Sequence, residues 1–227
     1  MLLLALALAP VTVIIWYILF MDKLNKEPWK MLFRTFVFGI VSIIPAIILE
    51  VVGSQYLGPV DNAGKAWIEA FIIVALSEEL CKYFFLRKFV FKRSEFDEPY
   101  DGIVYAVMIS MGFAALENVM YVFQGGVTVA ILRMFTAVPA HAMFGILMGY
   151  WVGRAKMENK PIFNLIGLGS AILFHGLYDL FLLSEYIPGQ FFGAMISLVI
   201  GLVLARSAMR IHRKYEFKKD ENSSDVV

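Results

Sequence analysis

One cysteine, Cys81, among 227 residues excludes an intrachain disulfide and leaves the redox compartment open. Its place in an apolar run makes it a small packing residue rather than a reactive thiol. Charge is scarce too: 17% of the chain is Asp, Glu, Lys or Arg and the formal net charge is +1, which argues against a nucleic-acid partner. The chain has only three histidines and no His-Glu-x-x-His run, so a zincin helix is excluded. Internal repeats and low-complexity segments are absent. The first apolar run has neither a basic flank nor a small-residue cleavage site, so it reads as a retained helix rather than a secretory signal. What fills the chain instead is apolar: 60% hydrophobic residues and a mean hydropathy of +0.73 lie far above soluble domains. The chain belongs in a lipid bilayer.

A helix needs roughly 20 apolar residues to cross a hydrocarbon core of about 30 Å. Seven runs meet that length, at about Leu3–Met21, Met31–Val51, Ala66–Phe91, Asp101–Phe123, Val127–Val152, Phe163–Leu183 and Gln190–Met209. Pro10 is expected to bend the first. Gly, Pro or charge separates the runs, and the Gly53–Gly64 stretch is the longest connection. The fold class is therefore all-α, a polytopic transmembrane bundle of about seven helices. Residues 1–214 form the transmembrane domain and 215–227 a polar, disordered tail. Lys65, Lys82 and Arg133 apart, every Lys and Arg falls at alternate ends of the runs or after the last one. The positive-inside rule then puts the N-terminus outside, the C-terminus inside, and the protein in a cell membrane as a multi-pass chain.

A charge at the bilayer centre costs about 2.5–3.5 kcal/mol, so an ionisable residue within a span is by default a functional hypothesis. Glu78 and Glu79 lie about 12 residues, or roughly 18 Å, from the outer end of the third run. His141 lies about 14 residues from the outer end of the fifth run and His175 about 13 from the inner end of the sixth, at similar depth. A Glu–Lys or Asp–His contact that merely locks helices together is the alternative for any single one of them. Two carboxylates and two imidazoles in one layer favour chemistry. Adjacent side chains point about 100° apart, so Glu78 and Glu79 are expected to differ in role. Lys82, three or four residues on, pairs with one, and the other faces a cavity as a base for water. One imidazole then holds the water and the other stabilises the oxyanion. Asp179, one turn after His175, orients its ring. Glu117 and Arg133, in the outer thirds of their runs, read as an ion pair or cavity lining. A Glu78, His141, His175 set can also hold Zn²⁺ with one position open, but a metal-free glutamate mechanism is the expectation, with no cofactor. Asp101 and Asp179 stand roughly 25 Å apart in depth, too far for an aspartyl dyad.

Five stretches resemble the PrsW family of membrane proteases. They are Ser77-Glu-Glu-Leu-Cys-Lys82, Phe96-Asp-Glu-Pro-Tyr-Asp-Gly-Ile-Val-Tyr105, Gly112-Phe-Ala-Ala-Leu-Glu-Asn118, His141 with Gly145, and His175-Gly-Leu-Tyr-Asp179. The family is a branch of the wider group that includes CAAX-prenyl endopeptidases and the APH-1 scaffold of γ-secretase. The resemblance implies a bacterial plasma-membrane endopeptidase that makes the first cut in a single-pass membrane protein, an anti-sigma factor, within a stress response. It implies that Glu78, Glu79 and His175 are required, with His141 a further member and Lys82, Glu117, Asn118 and Asp179 in support. The chain departs from the wider group at Lys82, where Arg is usual, and at Asp179, where Asn is frequent. The alternatives are a non-catalytic scaffold of the APH-1 kind or a proton-coupled transporter, since mid-membrane Glu and His also form proton relays.

Overall fold

The computed structural model describes residues 1–22, 26–183 and 190–224. Helices α1 (Leu2–Met21) and α2 (Trp29–Leu57) are followed by a long helical rod, 63–90. The rod joins α3 (Ala63–Ile68), a π-helical stretch (Glu69–Ala75), α4 (Leu76–Phe85) and a second π-helical stretch (Leu86–Val90) without leaving helical dihedrals. Then come α5 (Pro99–Phe135), α6 (Ala137–Met157), α7 (Ile162–Leu183) and α8 (Gln190–Ser224). No strand occurs among the described residues. Five stretches there are long and apolar enough to cross a membrane: Leu2–Met21, Trp29–Leu57, Pro99–Met157, Ile162–Leu182 and Phe191–Arg213. The protein is an all-α, multi-pass membrane bundle.

The Pro99 end of α5 is set by its sequence. Pro99 opens the helix, and Glu98 and Asp101 form a capping box in which Asp101 Oδ2 accepts from the backbone N–H groups of Asp97 (2.9 Å) and Glu98 (2.7 Å). From Tyr100 to Ala115 every residue is buried, as expected of a helix that is apolar all round and sits at the centre of a bundle. Gly102 on α5 and Gly149 on α6 permit a close approach: a Cβ on either would strike the other helix's backbone.

At the other end of α5, Gly126 has φ 70° and ψ −158°, a conformation open to glycine, and the chain reverses there. Val122 and Ala130 pack together with Ala7, and Arg133 returns to Asn118. Residues 127–135 thus begin the path that α6 completes, which explains how one 59-residue apolar stretch holds an antiparallel pair. The backbone of α8 stays helical to Ser224, across most of the polar tail expected to be disordered from residue 215. That stretch is rich in Lys and Glu, good helix formers, and residues 225–227 lie outside the described residues.

Candidate active site

The rod brings Glu78, Glu79 and Lys82 into the bundle beside α6 and α7. The Lys82 ammonium donates to Glu78 Oε2 (2.9 Å) and Glu79 Oε1 (2.7 Å), and meets His141 Nδ1 at 3.2 Å. Three N–H donors therefore meet three acceptors, and the ammonium lies 4.0 Å from the centre of the Phe113 ring. The expectation that Lys82 pairs with one glutamate and leaves the other free is corrected: the carboxylates point apart by helical geometry, but a four-carbon stem lets one ammonium reach both. What separates them is access. Glu79 is fully buried, whereas Glu78 lines a cavity.

His175 on α7 completes the layer. Its Nδ1 is 2.9 Å from Glu79 Oε1, and its Nε2 is 3.1 Å from Asp179 Oδ2 and 4.0 Å from Glu78 Oε2. Phe144 stacks on the ring at 4.6 Å and 13°, which fixes its plane. His141 is placed differently. Its Nδ1 faces Lys82 and its Nε2 lies 2.9 Å from Glu117 Oε2, so both ring nitrogens are engaged by protein. Glu117 also accepts from Arg133 (2.6 Å), whose Nε donates to Asn118 Oδ1 (2.7 Å), and Asn118 Nδ2 donates to the Ala7 carbonyl (2.7 Å). All eight residues singled out from the sequence thus fall into one connected network around Lys82.

The cavity is about 590 Å³. Along α5 it touches Phe113, Glu117, Tyr121 and Gln124, a single helical face running from the reactive layer toward the Gly126 end. Glu50 on α2 also lines it, a residue the sequence reading passed over because it stands near the end of an apolar run. Its signal was periodicity: Ile43, Ile47 and Glu50 share one face of α2.

Comparison with known proteins adds to this geometry. Residues 27–206 match the model of the PrsW family intramembrane metalloprotease. The chain belongs to the PrsW family. Protease PrsW of Geobacillus kaustophilus is 36% identical over 187 residues, covering 82% of this chain and 81% of the relative. Protease PrsW of Bacillus subtilis is 34% identical over 186 residues (79% and 83%), and that of Clostridioides difficile 30% over 189 (80% and 79%). No solved structure matches significantly. The protein is thus a PrsW-family intramembrane protease, a membrane peptide-bond hydrolase with a buried Glu/Glu/His cluster, and the scaffold and transporter readings give way.

The family's description names a metal, and the cluster fits one in its donor chemistry. Single ligand atoms of Glu78, Glu79 and His175 lie within 4.8 Å of one another, and Glu79 Oε2 is buried with no hydrogen-bond partner. The set differs from the expected Glu78, His141 and His175, because Lys82 and Glu117 hold the two nitrogens of His141.

Proposed function

We propose that this PrsW-family protease makes the first cut in a single-pass membrane protein, an anti-sigma factor, on the extracytoplasmic side of the bacterial plasma membrane. The observation that carries the reading is the division of the glutamate pair, Glu79 sealed and Glu78 on the cavity wall. Lys82 holds Oε2 of Glu78, which leaves Oε1 to take a proton from water. Glu78 Oε2 and His175 Nε2 stand 4.0 Å apart, so a water taken up by Glu78 lies close to the imidazole. The water oxygen attacks the scissile carbonyl carbon, its proton passes to Glu78, and Glu78 returns that proton to the amine nitrogen as the C–N bond breaks. His175 faces carboxylate oxygens with both nitrogens, and donation from both belongs to the imidazolium form, whose positive charge stabilises the developing oxyanion. Glu79 and Asp179 orient that ring. His141, Glu117, Arg133 and Asn118 position Lys82, and the first three also stand on the cavity wall.

Glu78, Glu79 and His175 would hold a divalent cation, which when bound supplies Lewis acidity to the water and the carbonyl. Lys82 already neutralises both carboxylates through one oxygen of each, and the metal-free reading rests on that ammonium.

The 63–90 rod and the two arms of the α5–α6 hairpin, counted with α1, α2, α7 and α8, make seven crossings. With the N-terminus outside, as the Lys and Arg distribution favours, the Gly126 end is exterior. Residues 1–214 then form the protease domain and 215–227 the cytoplasmic tail. Substrate backbone must unwind to react, and unpaired backbone is costly in hydrocarbon, so the scissile bond belongs near the exterior end of the substrate helix. The test is cleavage of a candidate anti-sigma factor by the purified protein in detergent, with products read by mass spectrometry. Cleavage lost in Glu78→Gln and placed at the exterior end supports the reading; a cut in the cytoplasmic half of the substrate helix overturns the topology.

A further inference from the structure

The cavity wall is acidic. Glu50, Glu78, Glu117 and Asp179 line it and Glu79 lies directly behind, against two permanent cations, Arg133 in the wall and Lys82 behind it. Four of the five carboxylates have partners. Glu78 and Glu79 have Lys82, Glu117 has Arg133 and His141, and Asp179 has His175. Glu50 has no hydrogen-bond or ion-pair partner among the described residues. It is half-buried, on the α2 face that also presents Ile43 and Ile47 to the cavity. Seven residues separate it from Leu57, the last residue of α2, so it sits about 10 Å from the Gly126 end of the bundle. Glu78 lies fifteen residues from the start of the rod at Ala63, which puts it roughly 10 Å deeper than Glu50.

A carboxylate held in a cavity of low dielectric without a counter-ion is costly, and a ligand that brings the counter-ion relieves the cost. A single carboxylate is a poor metal site but a good receptor for an ammonium or guanidinium group. We infer that Glu50 is a specificity residue that receives a Lys or Arg side chain of the substrate, between the scissile bond and the Gly126 end of the cavity. The depth difference corresponds to about three residues of extended chain at about 3.3 Å each, so the basic residue stands about three positions from the cut. The apolar partners on the same face, Ile43 and Ile47, contact the substrate nearer the reacting bond and carry no charge preference.

The inference rests on the proteolytic reading of this cavity, and its test separates the two. The probes are synthetic single-pass peptides with a common apolar helix and a six-residue juxtamembrane segment at the Gly126 side. One position at a time is Lys, Arg, Gln or Glu. Binding of labelled peptide and cleavage are both measured with full-length protein in bicelles. The wild type binds and cleaves peptides with Lys or Arg at one position at least about tenfold better than those with Gln, the difference lying in KM. Glu50→Gln abolishes that preference and leaves the Gln peptide within about twofold of wild type. Glu50→Asp retains the preference, and Glu50→Lys shifts it toward Glu. A matched thermal midpoint shows that each variant is folded. Preference that persists in Glu50→Gln, or equal loss on every peptide, overturns the inference. Peptides bound with the charge preference but never cut would overturn the proteolytic reading and leave the role of Glu50 standing.

Discussion

Lys82→Met tests the centre of the network. The native ammonium is 1% exposed and donates within 2.9 Å to two carboxylates that are 6% and 0% exposed. Methionine matches the stem in length and removes the charge, so Glu78 loses its ion-pair partner, Glu79 keeps His175 alone, and His141 Nδ1 loses its partner. Removing one member of a buried ion pair costs about 3–5 kcal/mol, because the remaining charge is left uncompensated. At roughly 2–4 °C per kcal/mol for a chain of this size, the thermal midpoint should fall by about 6–20 °C. Thermal unfolding in detergent, followed by tryptophan fluorescence, reads this directly. Glu79→Gln in the same chain removes one of the stranded charges, so the double variant should be more stable than the sum of the single losses predicts, with a coupling of about 1–3 kcal/mol. Lys82→Met at the wild-type midpoint, or strict additivity with Glu79→Gln, would refute the assignment of Lys82 as the shared counter-ion.

Other outcomes follow from the same geometry. Glu78→Gln should lower turnover by about 10²–10⁴-fold with little change in thermal midpoint, whereas Glu79→Gln should lower both, since Glu79 is sealed between Lys82 and His175; equal stability losses would remove the distinction between base and positioning residue. Exhaustive chelation should leave turnover intact, and loss of activity restored by one equivalent of zinc would refute the metal-free reading. Gly126→Ala forces a side chain into positive φ and should cost about 1–2 kcal/mol, with Gly169→Ala, where an added Cβ meets nothing, as the control that should not. In the connection between α1 and α2, burial and the neighbouring Asp101 carboxylate push the Glu27 pKa up to about 10 from an ordinary 4.5. The folded state therefore holds that proton more tightly than the unfolded chain. The resulting stability is complete below pH 4.5 and is lost as pH rises through about 10. Glu27→Gln should flatten that part of the stability profile, and an unchanged slope would show that another group titrates.

Part of the site was legible because the membrane makes polar residues conspicuous. A carboxylate or imidazole inside an apolar run is expensive, so Glu78, Glu79, His141 and His175 stood out, and counting residues from the span ends placed them at one depth. The hairpin was legible as well: Gly125 and Gly126 interrupt a long apolar run, and the chain does reverse at Gly126. Glu50 was less visible, since a carboxylate near the end of a run can snorkel to the interface and needs no explanation there.

The linear chain thus determined the membrane class, the family stretches and the depth of each ionisable group, because those depend on composition and on a rise of about 1.5 Å per residue. It could not determine azimuth across helices, which depends on how the rod, α5, α6 and α7 pack. Only the tertiary structure decided that one ammonium serves both glutamates, that Glu117 takes the second nitrogen of His141, and that Glu78 faces the cavity while Glu79 is sealed. The close contact of Gly102 with Gly149 and the stacking of Phe144 on His175 fix those rotations, and both are properties of packed helix faces rather than of any one segment.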